Sequence, residues 1–498
     1  MKEFIICYTK NTWSALEIKT LSFIEDFTIS TKDKYYTFQV SDLIRELKSK
    51  KNDQLPQIVN IESFDKQFTQ KGKDLLDLKN WHILKSLKRE GIVNPNYRIT
   101  NLQDFLSKIN EFILKLKDVS KIEIDRFNKI EVKINEIIHQ TSLEGIKIDN
   151  GILDKKCIEL HKEIYKIKND FQFSQNIFQP EKIETQIEYL KKQNYKLIES
   201  ARKTINLLRK SDPICYKFNR LNSLIIDLKT LMLLKSRLGG ENYTNPYFVG
   251  FGSITSRIII KEPSLQNLRK ENRDVIIPNE NKELFYIDYS QFEASILAND
   301  SKDAELLTLI NNGDIYNDMI KNIFEEEEKE GEEALESRKK AKILFYRYLY
   351  GDSFDYDKPF QKKVEKYFKR FTTLTKYKST LIKTSIKNGF VKTNNGNTRQ
   401  LDVTNDNVWI LSHQIQAKAS TIFKKALIQT YTKVKGARLL IPLHDGALYE
   451  IENIDSQKTK DMIIQIYIQE FKKECKLLTN PLAKEEQYFK NNTNECNS

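Results

Sequence analysis

Leu284-Phe-Tyr-Ile-Asp-Tyr-Ser-Gln-Phe-Glu-Ala-Ser-Ile-Leu-Ala298 combines, within fifteen residues, an apolar run, a carboxylate and a helix-forming stretch. Leu284 to Ile287 has the composition of a strand, and it delivers Asp288 at its end. The residues that follow favour a helix carrying Glu293. A carboxylate at a strand tip either caps the next helix or holds a cation, and this stretch alone leaves both open.

Two further segments bear on the choice. In Arg438-Leu-Leu-Ile-Pro-Leu-His-Asp-Gly-Ala-Leu-Tyr-Glu-Ile451 two strand-like runs flank His444-Asp445-Gly446, the pattern of a hairpin with a carboxylate at its tip. An Asp-Gly pair alone is an ordinary turn. Two strand-end aspartates that converge could instead hold paired Mg²⁺ ions about 4 Å apart, which clamp a transferring phosphoryl group. In Arg338-Lys-Lys-Ala-Lys-Ile-Leu-Phe-Tyr-Arg-Tyr-Leu-Tyr-Gly351, Arg338, Lys342, Tyr346 and Tyr350 recur every four residues. A helix places these two cations and two rings on one face, which suits a triphosphate and a stacked base as well as a plain surface helix.

In this order and spacing the three segments resemble motifs A, B and C of the family A (DNA polymerase I-like) polymerases. DYSQFEASILA is similar to the family's DYSQIELRILA, RKKAKILFYRYLYG to RRxxKxxNFGxxYG, and PLHDGALYE to its VHDE segment. GSITSRIIIKEPSLQNL (Gly252 to Leu268) resembles TGRLSSxxPNLQNIP, and HQIQAKASTIFKKAL (His413 to Leu427) resembles NxPIQGTAADIIKxAM. SLEGIKIDNGIL (Ser142 to Leu153) resembles the MExxGIxVDxxxL that opens the thumb, so the resemblance spans residues 126–490.

The resemblance implies an α+β, right-hand polymerase fold: a palm with a small antiparallel sheet, helical fingers, a helical thumb and a small amino-terminal α/β module. The implied divisions are 1–125 for the module, degenerate exonuclease-like or DNA-positioning, and 126–250 for the thumb. Palm with motif A follows at 251–300, fingers with motif B at 301–400, and palm with motif C at 401–498. The implied activity is template-directed addition of deoxynucleotides to a primer 3′ end by two-metal phosphoryl transfer. Asp288 and Asp445 are implied to bind two Mg²⁺ ions, with Mn²⁺ as a substitute. Arg338 and Lys342 are implied to hold the triphosphate, Lys342 also protonating the leaving pyrophosphate. Tyr346 is implied to stack on the incoming nucleotide, Tyr350 to guard the template slot, and Glu293 to exclude a 2′-hydroxyl. Arg257, Gln266, Asn267, Arg273 and Gln416 match primer or template contacts, and His444 a position near the primer terminus.

The chain departs from the family pattern at four places. Motif C ends in Gly446 in place of a third carboxylate, Ala294-Ser295 stand for Leu-Arg, and Arg347 replaces a small Gly. Tyr346 stands where many members have Phe, which implies ready use of dideoxynucleotides. The expectation is weaker metal organisation with activity retained; the alternative is a weakened relic that binds primer-template DNA as a scaffold. A single-subunit RNA polymerase is disfavoured by Glu293. A proofreading exonuclease needs Asp-x-Glu on its first strand, and residues 1–125 hold none, Asn60-Ile61-Glu62 being nearest. No 3′-5′ exonuclease is therefore expected.

Composition supports this frame. With only 15 Gly and 10 Pro in 498 residues, long helices should outnumber tight turns. IEVKINEIIHQ, LDKKCIELHKEIYKI and LNSLIIDLKTLMLL have helical periodicity, and Phe4–Tyr8, Tyr35–Val40 and Gln57–Ile61 read as strands of the amino-terminal module. Five scattered cysteines fit neither a disulfide framework nor a zinc site. No apolar run reaches membrane-spanning length, and the apolar start is too brief for a signal-peptide core, so a cytoplasmic monomer without membrane contact is expected. Any processivity factor leaves no mark. The net charge is +13, and residues 325–336 alone carry −7, so the remainder carries +20. That excess is expected on the thumb and beside Arg257, Arg273 and Lys342, facing DNA, with the acidic run on the fingers away from it.

Overall fold

Five short strands at the amino terminus, Glu3–Thr9, Thr12–Glu17, Phe23–Ile24, Lys34–Thr37 and Gln57–Asn60, form one mixed sheet. Its order is third, second, first, fourth, fifth, with the first strand antiparallel to the second and parallel to the fourth. Lys10 and Asn11, both at positive φ, make the two-residue turn that joins the first two strands. Helices Val40–Ser49, Ile61–Phe68, Ile83–Arg89 and Leu102–Lys117 complete the module. Ile5 and Cys7 of the first strand are buried in one apolar cluster with Phe105, Ile109 and Phe112. The computed structural model describes residues 1–51, 54–69, 81–118, 121–325, 331–351, 358–401, 408–479 and 483–489. Four of the acidic run's eight glutamates, those at 326–328 and 330, lie outside the described residues, as does Cys496.

The chain divides into two compact units. The first comprises Met1–Leu143, Phe248–Ile259 and Asn281–Glu486, and the second Glu144–Tyr247, Ile260–Glu280 and Gln487–Ser498. Within the first unit lies an antiparallel four-stranded sheet, ordered Ala437–Pro442, Gly446–Glu452, Lys282–Tyr289 and Ala483–Glu485. The expected run Leu284 to Ile287 extends at both ends, so Asp288 is a strand residue and not a helix cap. Helix Phe292–Ser301 follows, and its first residue, Phe292, stacks on Tyr289 at 4.2 Å. Phe471, from helix Ser456–Glu474, meets both rings edge-on. These aromatic contacts fix the helix that carries Glu293 against the sheet that carries Asp288.

The second unit is built on helices Asn150–Gln175, Ile183–Lys192, Ala201–Leu208 and Pro213–Ser236. Lys235–Asp154, Arg220–Glu163 and Lys217–Asp170 pair in opposite numerical order, so the two long helices run antiparallel. Phe171 stacks on Phe218 at 4.6 Å in a core shared with Leu190, Ile205 and Leu221. Asp212 caps the last helix at Ile214 and Cys215, with Pro213 at its first position, where the missing N–H does no harm. The four described cysteines are free and buried. No helix among the described residues is long and apolar enough to cross a membrane.

Candidate active site

Asp288 sits on an inner strand, directly opposite Gly446 on one side and Lys484 on the other. The neighbouring hairpin is closed by Leu443 N–H donating to Gly446 O at 2.7 Å, and Tyr289 N–H donates to Asp445 O at 3.1 Å. These bonds hold Asp445 beside Asp288. Burial first, and the Asp445 charge second, push the Asp288 carboxyl up to about 7, with Lys342 opposing them. Asp445 Oδ1 is buried and has no hydrogen-bond partner. His444 is exposed at the hairpin tip, and its imidazole is lowered by desolvation and by Arg257.

Gly446 occupies the tightest place in this arrangement. A Cβ there would lie 2.4 Å from Ile287 O, 2.8 Å from Asp288 Oδ1 and 3.0 Å from the Tyr286 hydroxyl. Ile287 O, Asp288 and Tyr286 fill the volume into which a side chain at 446 would project.

Glu293 lies in the first turn of its helix, 9% exposed. Arg257 Nη2 donates to its Oε1 and the Tyr350 hydroxyl to its Oε2, each at 2.6 Å. Burial and Asp445 raise its carboxyl, and Arg257, Tyr350 and Lys342 counter them. The helix begins at Gln291, at φ 48°, whose side chain accepts from Ile315 N at 2.9 Å and donates to Gly313 O at 3.2 Å.

Helix Gly331–Tyr350 presents Arg338, Lys342, Tyr346 and Tyr350 as their spacing predicts. Lys342 is exposed and acts electrostatically on both Asp288 and Glu293. Tyr346 lies 5.6 Å from the Tyr350 ring and shares a 3.0 Å hydroxyl contact with Tyr316. Arg338 is paired with Asp314 and lies 4.9 Å over the Tyr316 ring. Asp314 and Tyr316 thus belong to the site although no motif marks them, and Gln291, within motif A, ties the Glu293 helix to their segment through Ile315 N. Only the Asp314 cap at the start of helix Ile315–Met319 is visible locally.

Gln416 is half-buried on helix Trp409–Lys433 in the same unit. Gln266, Asn267 and Arg273 lie in the second unit. There Gln266 Oε1 accepts from Ile260 N at 3.1 Å, and Asn267 ends a short turn, Leu265–Asn267. Arg273 donates to Leu268 O and Tyr488 O and lies over the Tyr488 ring.

In the amino-terminal module, Asn60 Oδ1 caps helix Ile61–Phe68 by accepting from Glu62 N and Ser63 N. Glu62 is spent on a buried 2.6 Å pair with Lys66. Among the described residues no group of three or more His, Cys, Asp or Glu could hold a metal.

Residues 138–483 match the model of DNA polymerase family A. A DNA polymerase I of Caldicellulosiruptor bescii is 25% identical over 403 residues, 72% of this chain and 46% of the relative. A DNA polymerase I of Helicobacter pylori is 23% identical over 436 residues, 77% of this chain and 48% of that protein. The chain thus spans about half the length of the curated relatives it matches. Among solved structures, the POL domain of Pol1 from M. smegmatis, in complex with DNA primer-template and dNTP, superposes with a TM-score of 0.75 at 18% identity. The match covers 98% of this chain and 95% of that one, so the fold is that of a polymerase domain and the amino-terminal module has its counterpart there.

Proposed function

The chain belongs to DNA polymerase family A, and on that premise we propose that it is a template-directed DNA polymerase that extends a primer 3′ end with deoxynucleotides. The observation that carries the reading is Asp288 at the end of an inner strand beside Asp445 in the turn of the neighbouring hairpin, with Asp445 Oδ1 buried and without a hydrogen-bond partner. Burial and the Asp445 charge make ionisation of Asp288 costly without a cation, so this desolvated acidic setting suits hard divalent cations, and these residues fit Mg²⁺, with Mn²⁺ as a substitute. When bound, the paired ions lower the pKa of the primer hydroxyl and offset charge on the triphosphate.

The remaining steps are assigned to this chain's own side chains. Lys342, exposed beside Asp288, meets the triphosphate and donates a proton to the departing pyrophosphate. Arg338 joins it by exchanging Asp314 for phosphate oxygens. Tyr346 supplies the stacking face for the incoming nucleotide, and Tyr350 guards the template slot. Glu293, held from both sides by Arg257 and Tyr350, is a rigid wall beneath the sugar that excludes a 2′-hydroxyl. Arg257, Gln416 and His444 in the first unit, with Gln266, Asn267 and Arg273 in the second, contact primer and template.

We assign the module no proofreading activity. Its first strand turns Ile5 and Cys7 into an apolar core, and its nearest carboxylate candidate, Glu62, is committed to Lys66. In the same reading residues 126–250 act as thumb, 251–300 and 401–498 as palm, and 301–400 as fingers. The relic reading draws on Gly446, yet that glycine is matched to its surroundings, which favours a working site. Primed template, dNTPs and Mg²⁺ should give extension, and Asp288→Asn or Asp445→Asn should abolish it. A wild-type protein inactive with both Mg²⁺ and Mn²⁺ would overturn the proposal.

A further inference from the structure

The loop that carries Arg257 is held at its base by the amino-terminal module. Phe251 N–H donates to Ser63 Oγ at 3.3 Å, and Lys66 Nζ donates to Gly252 O at 3.1 Å. Both Ser63 and Lys66 belong to helix Ile61–Phe68, and Lys66, paired with Glu62, has a side chain only 2% exposed. Gly252 N–H then donates to Arg257 O at 2.9 Å and closes the loop. Inside it, Ser253 Oγ accepts from Arg257 N at 3.1 Å, and Ser256 stands at φ 62°. The far side is fixed by Arg126, which donates to Ser256 Oγ at 2.9 Å, and by Ser420 Oγ, which donates to Ser256 O at 2.8 Å. There is no slack at the base, since a Cβ at Gly252 would come within 2.6 Å of the Ile259 side chain.

We propose that Ser63 and Lys66 are positioning residues for the polymerase site: the module fixes the Phe251–Gly252 backbone and so holds Arg257 against Glu293. The inference rests on the polymerase reading above and deepens it. A buried lysine that donates to a backbone carbonyl in a distant segment couples the two segments rigidly, because in a desolvated place neither group has water as an alternative. Arg257 is the cationic side of the clamp on Glu293, so displacing the loop loosens the wall beneath the sugar. The module's use in this chain is thereby mechanical.

The test compares catalytic efficiency for deoxynucleotides and ribonucleotides, together with primer-template affinity at fixed salt. Glu62→Gln/Lys66→Met removes both buried charges at once and the bond to Gly252. It should reduce sugar discrimination about ten-fold and weaken primer-template binding, as expected for a displaced positioning group. Lys66→Arg, which keeps a donor and a charge, should restore much of both. Gln67→Ala, which removes a 3.1 Å bond from the same helix to Glu123 O without touching the loop, should lower the unfolding temperature and leave discrimination intact. If the double variant fails to fold, Ser63→Ala decides, with a smaller loss in the same direction. Folded variants with wild-type discrimination and affinity, in an enzyme that does extend primers, would sink this inference alone. A wild type that extends nothing would remove the polymerase reading and this inference with it.

Discussion

Gly446 shows what the fold adds to a residue read from a motif. Read against the family pattern it is a lost carboxylate, whereas in the structure it is a close approach between two strands, with Ile287 O where a Cβ would stand. Gly446→Glu should therefore not restore activity. It should destabilise the protein by about 1–3 kcal/mol through overpacking and slow extension, as thermal melting and primer-extension rates would show. Faster extension by Gly446→Glu would mean that the strands part easily. Glu293 makes the opposite case, since the residue picked out by the motif is also the one the structure clamps. Glu293→Ala should admit ribonucleotides, measured as the ratio of extension rates on NTPs and dNTPs, and an unchanged ratio would reject the gate. Asp288, Asp445, Glu293 and Tyr350 could be placed from sequence because local pattern alone puts them at a strand end, in a hairpin turn, in the first turn of the following helix and on a four-residue helical repeat. Asp314 and Tyr316 could not, because they reach the site only through tertiary contacts from a segment that carries no shared pattern.

At the scale of elements, hydrophobic periodicity anticipated the motif A strand, the motif C hairpin and the long helices, where burial and propensity agree. It did not anticipate strands Thr12–Glu17 and Phe23–Ile24. Their signal lies in the Lys10-Asn11 turn, where two non-glycine residues adopt positive φ, and that is legible only once the hairpin is known. Two helices also bury histidines. His139, on helix Val132–Glu144, is lowered to about 3 by burial. His413, on helix Trp409–Lys433, is lowered to about 4 by burial first, while its bond with Asn397 O works the other way. Both are depressed from 6.5, so the folded state refuses protons that the unfolded chain accepts. Their stabilisation is complete above pH 6.5 and is lost as the pH falls toward 4, by up to about 1.4 kcal/mol per pH unit for each histidine. The melting temperature should fall accordingly on acidification, and His139→Gln should flatten the profile. A wild-type profile level down to pH 4.5 would contradict this account of the two helices.

For the whole molecule, the charge of +13 acquires a meaning only with the fold in hand. Arg257 and Arg273 are partly committed to protein partners, while Lys342 stands exposed. Primer-template binding should still fall steeply with salt, with a log–log slope steeper than about −2.5, equivalent to at least about three neutralised phosphates. Salt-insensitive binding would remove the electrostatic part of the account. The amino-terminal module was the least legible region, because what identifies its role is a missing pair of carboxylates and a buried Glu62–Lys66 pair that only folding brings to Gly252. The most direct test of the central claim, a template-directed polymerase without proofreading, is primer extension with Mg²⁺ and dNTPs on matched and 3′-mismatched primers resolved at single-nucleotide length. The matched primer should be extended, the mismatched one slowly or not at all, and neither should give a shortened product. Absence of extension from the matched primer, or excision of the mismatched nucleotide, would contradict the claim.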